Sequence, residues 1–99
     1  MRLEQRLANV GERLQRARRD LQITEEQLAF QTGVADEAQT KRLVAGTPLA
    51  DREWREARDD LARLVRQRDD ARAAVDELVR EQDRLLDRLA GRLSAKGGK

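Results

Sequence analysis

Apolar or small residues recur at Leu3, Leu7, Val10, Leu14, Ala17, Leu21, Thr24 and Leu28, in unbroken alternating steps of four and three. A mean spacing of 3.5 residues holds one narrow stripe on one side of an α-helix. Such a stripe faces a partner helix, and the pair coils with a left-handed twist. With Leu7 as heptad position a, the a series is Leu7, Leu14, Leu21 and Leu28, and the d series is Leu3, Val10, Ala17 and Thr24. Ala, Leu, Arg, Glu and Gln dominate, and aromatics make up 2% of the chain, a composition that favours helix and excludes most β architectures.

The second half repeats the stripe through Trp54, Ala57, Leu61, Leu64, Arg68, Ala71, Val75, Leu78, Gln82, Leu85 and Leu89. Here position e is apolar as well: Val65, Val79, Leu86 and Leu93 widen the stripe enough to touch more than one neighbouring helix. In the first half the register weakens at Gln31–Gly33, after which Ala35, Ala38 and Leu43 offer a continuation. A helix-interior glycine costs about 1 kcal/mol relative to alanine, which makes Gly33 a candidate point for a kink or break within arm one. The strongest punctuation is Gly46-Thr47-Pro48, which reads as a closing glycine, a threonine N-cap and a proline at the first position of the next helix. It divides the chain near its midpoint.

These features predict an all-α fold: one long antiparallel helical hairpin, a coiled coil, occupying residues 1–93 as a single domain. Arm one spans 2–45, the turn 46–48 and arm two 48–93, with 94–99 a flexible tail. Facing residues must have numbers with a constant sum, and sums of 92 and 99 both centre on the connector. A chain of 99 residues buries a small fraction of its surface unless it associates, so self-association into a four-helix bundle is expected. The partner-binding candidates are the widened stripe of Val65, Val79, Leu86 and Leu93. Ile23 and Phe30, seven apart and outside the seam with Val34 nearby, are candidates for a second contact surface.

Cysteine and histidine are absent, which removes disulfides, thiolate chemistry, imidazole bases and the usual zinc sites. No glycine-rich phosphate loop is present, and a hairpin has no concave interior to exclude water. A non-catalytic protein is expected, with no cofactor, no metal and no small-molecule substrate. No apolar run approaches the length needed to cross a bilayer, so no membrane contact is expected and the cytoplasm is the expected location. Arginine outnumbers lysine by 18 to 3, as a GC-rich genome produces.

The formal charge of +2 conceals a polarity along the chain: +4 over residues 1–19, −5 over 20–60 and +3 over 61–99. Folding back at the connector gathers the acidic block toward the turn and both basic blocks at the open end. Arginines of the open end are candidate contacts for a nucleic-acid backbone, although interleaved acids favour a solvated face. At the turn, Asp51 and Glu53 sit where carboxylates favour the positive end of a helix dipole. The segment Pro48-Leu49-Ala50-Asp51-Arg52 resembles the acidic tip of DksA-type factors, which like Gre-type factors carry long helical hairpins. That resemblance implies insertion of the tip into the secondary channel of RNA polymerase, with Asp51 in the tip role and Glu53 as support. The likeness covers about six residues, and Thr47 stands where the family has an acid.

The preferred reading is a non-catalytic structural or adaptor protein working through protein–protein contact, with itself or another protein. The alternatives are the polymerase-binding hairpin and a weak nucleic-acid binder.

Overall fold

The computed structural model describes residues 2–97, which form two helices: α1 over Leu3–Ala45 and α2 over Pro48–Gly97. They pack antiparallel into a rod of 78 × 20 × 14 Å. The predicted hairpin is the observed fold. No strand occurs among the described residues, and no helix there is long and apolar enough to cross a membrane.

The turn has the expected chemistry. Gly46 takes the left-handed conformation (φ 61°, ψ 26°), and its N–H donates to the Arg42 carbonyl at 3.1 Å, which closes α1. The Thr47 hydroxyl accepts from the Ala50 N–H at 3.2 Å and satisfies one of the orphan donors opening α2. Pro48 occupies the first helical position, where its missing N–H costs nothing.

The seam differs from expectation in two respects. First, α1 runs unbroken through Gly33, because positions a and d continue as Gln31, Ala35, Ala38 and Arg42, all at least half-buried. Leu43, which seemed to extend the stripe, lies one residue off it and is 74% exposed. Second, α2 remains helical through Gly97, four residues into the segment expected as a tail; residues 98 and 99 lie outside the described residues.

Burial selects the register. Leu3 is buried in one cluster with Val10, Leu14, Leu78 and Leu85, and Leu89 packs against that cluster. A sum of 92 sets Leu3 against Leu89, Leu14 against Leu78, and the buried Ala35 against the buried Ala57. A sum of 99 instead sets Leu3 against the exposed Lys96, which cannot cover it. The Gln31 amide pins the pairing by donating to the Ala57 carbonyl at 3.1 Å. Arg68 and Gln82, polar residues at a positions, are half-buried in the seam, and the Arg68 guanidinium reaches Asp69 at 2.8 Å.

Candidate functional site

Three surfaces compete for a functional role: the turn and the two long edges that flank the seam. In an antiparallel pair, positions e of both helices line one edge and positions g line the other. The Glu25–Arg72 ion pair at 3.8 Å marks the e edge, and Arg13–Glu81 at 3.8 Å marks the g edge.

At the turn, the Arg42 Nε donates to Asp51 Oδ1 at 2.6 Å and an Arg55 amino group donates to Oδ2. Hydrogen bonding to Arg55 is the main cause that holds the Asp51 carboxyl below the ordinary carboxylate range, followed by Arg42 and opposed by partial desolvation. The Arg42 guanidinium lies 4.1 Å from the centroid of Trp54, and Arg58 lies 4.7 Å from the same ring. Trp54, which opens the stripe of the second arm, is half-buried with two guanidiniums close to its ring. Oδ1 of Asp51 thus bridges the two arms while Oδ2 pairs within α2, so the carboxylate that the DksA resemblance places at the tip is held by two arginines. Glu53 is exposed and borders a shallow depression with Lys41, Val44 and Leu49.

The e edge carries the widened stripe. Val79 packs against the core cluster and Val65 is half-buried, whereas Leu86 and Leu93 stand 46% and 60% exposed. Their neighbours on this edge are small: Ala8, Gly11, Ala29, Ala62 and Ala90 take the e and b positions. A Cβ added at Gly11 meets no atom within 4 Å, so nothing inside the molecule requires glycine there. Charged residues share the edge with them, the Glu25–Arg72 pair included.

The g edge is different in kind. Ile23 and Phe30, at c positions, fall on this edge, and Phe30 borders a shallow depression with Gln27, Gln31 and Leu64. The six partner-binding candidates therefore divide between opposite edges and do not form one surface. Val44 and Leu49, 83% and 62% exposed beside the turn, extend the apolar part of the g edge. Their spacing at c positions of the two arms was the available signal for them.

At the open end, Arg92 pairs with Glu4, whose carboxyl is held low chiefly by a backbone hydrogen bond and then by Arg92. Among the described residues, no group of three or more His, Cys, Asp or Glu side chains is placed to hold a metal ion. No protein-family model matches this chain, and no match exists among curated proteins or solved structures.

Proposed function

We propose that this chain is a non-catalytic structural or adaptor hairpin that acts through protein–protein contact and associates with a second copy along the e edge. The exposed apolar surface carries this reading. Among the described residues eight apolar side chains are buried, while seven large ones stand exposed, Leu86 and Leu93 among them. An 11.3 kDa chain folded as a compact globule exposes about 5,700 Å², whereas this one exposes 7485 Å². A standard protein–protein interface covers roughly 800 Å² of each partner, so the surplus exceeds what one such interface removes.

A second helix pair laid along Val65, Val79, Leu86 and Leu93 makes a four-helix bundle, and the small residues of the edge let backbones approach. Wild-type chains are expected to associate in the micromolar range by sedimentation. Leu86→Asp combined with Leu93→Asp is expected to sediment at lower mass with unchanged helicity. A wild-type monomer at every concentration contradicts the proposal.

A further inference from the structure

At the open end the g edge gathers arginines from both helices. The register that sets Arg13 against Glu81 also sets Arg6 against Arg88, one heptad nearer the open end. Positions g of a helix pair ordinarily carry opposite charges that bridge the seam, whereas two guanidiniums placed there repel each other. Arg2 and Arg84 stand one helical turn from them on the same edge, at c positions. None of these four arginines has a carboxylate within 4.0 Å among the described residues. Like charges converge, and no described acid answers them.

The acids that interleave with these arginines along the sequence are turned elsewhere. Glu12 and Asp87 fall at f positions and Asp83 at b, away from the g edge, while Glu4 lies on the e edge and pairs with Arg92. From Arg2 to Arg13, the c and g positions of α1 and those facing them on α2 hold five arginines and one glutamate, Glu81, which Arg13 engages. The other two positions are Asn9 and Gly91, so no apolar side chain interrupts the strip. It runs about 16 Å at 1.5 Å per residue. Arg2, Arg84 and Arg88 are exposed along it.

We infer that the open end of the g edge binds the phosphate backbone of duplex nucleic acid without reading its sequence. Duplex DNA carries a charge for about every 1.7 Å of its axis, so a strip of this length meets ample phosphates for four unpaired guanidiniums. The rod's 20 × 14 Å cross-section exceeds the roughly 12 Å width of the major groove, which keeps the edge on the backbone and off the base edges. The chain's two aromatic residues, Phe30 and Trp54, lie toward the turn, so nothing at this end stacks on unpaired bases. The strip also lacks the apolar side chains that would enter a lipid surface. It faces away from Leu86 and Leu93, and hairpins associated along the e edge leave it open.

The test titrates the chain with a short duplex of mixed sequence as salt rises from about 50 to 300 mM. The slope of log K against log salt is expected to be about −3 to −4, as four phosphate contacts require, and the same for unrelated sequences. Arg6→Gln with Arg88→Gln is expected to weaken binding on the order of tenfold or more and to reduce the slope by about two, with helicity retained. Arg2→Gln with Arg84→Gln is expected to do the same. Arg19→Gln with Arg80→Gln removes equal charge at f positions, off the edge, and is expected to weaken binding less than about threefold. No binding of the duplex at about 50 mM salt, or an equal loss from the Arg19 and Arg80 pair, overturns the inference. So does binding that needs Arg6 and Arg88 but is confined to vesicles of phosphatidylserine and phosphatidylcholine. Sedimentation of the wild-type chain is unaffected by any of these results, so failure here leaves the proposed association standing.

Discussion

At the open end, Leu3, Val10, Leu14, Leu78 and Leu85 form one buried cluster, with Val10 and Leu85 almost fully enclosed. At the turn end, the buried residues are Ala35, Ala50 and Ala57, and around them stand Arg42, Asp51, Arg55, Arg58 and Trp54 in a network of ion pairs and stacked cations. The contrast follows from connectivity. Near the turn the covalent link already holds the arms together, so small side chains and geometry-setting polar contacts suffice. Some 40 residues away the link no longer helps, and closure rests on apolar area removed from water.

The sharpest way to break this contrast is to truncate the open-end cluster. Leu85→Ala is expected to lower the unfolding free energy by about 2–5 kcal/mol and to separate the arm ends, read by urea titration and by faster amide exchange over residues 78–92. An effect no larger than that of a surface substitution contradicts the assignment of the core. The turn is expected to respond less. Gly46→Ala forces a side chain into the left-handed region, although the space around it is open, and is expected to cost about 1–2 kcal/mol in the same titration.

Asp51 is expected to matter least, because its partners are exposed and screened. Its carboxyl, like that of Glu4, is held below the ordinary range, so the stabilisation it gives is complete above the unfolded carboxylate range near pH 4 and fades as pH falls below it. Asp51→Asn is expected to shift the thermal midpoint downward at pH 7, by less than Gly46→Ala does, and to leave it unchanged at pH 2–3. A shift that persists in acid assigns the effect to packing and not to charge.

Much of this was legible in the sequence. Leucines at alternating steps of four and three mark both helices, and Gly46-Thr47-Pro48 marks the turn with the roles those residues adopt. What the pattern concealed was the seam beyond Leu28. Ala35 and Ala38 continue the stripe, but Gln31 and Arg42 are polar, and they face α2 because long polar side chains bury their stems while their heads reach out. Leu43 misled for the converse reason: its composition suits a core but its phase does not. The pairing of Asp51 with Arg42 joins two helices across the turn, so spacing along one helix could not reveal it. The division of the candidates between two edges was implicit in the heptad positions, since c and e lie on opposite sides of the stripe.

The central claim is that both arms zip within one molecule, in the register that sets Leu3 against Leu89. Spin labels at Ala8→Cys and Ala90→Cys, on the e edge at the open end, test it directly in dilute, isotopically diluted samples. The hairpin predicts a distance under roughly 25 Å, since packed helices lie about 8–10 Å apart and the labels add their own reach. A separation near 120 Å, the length of about 82 residues of continuous helix, contradicts it.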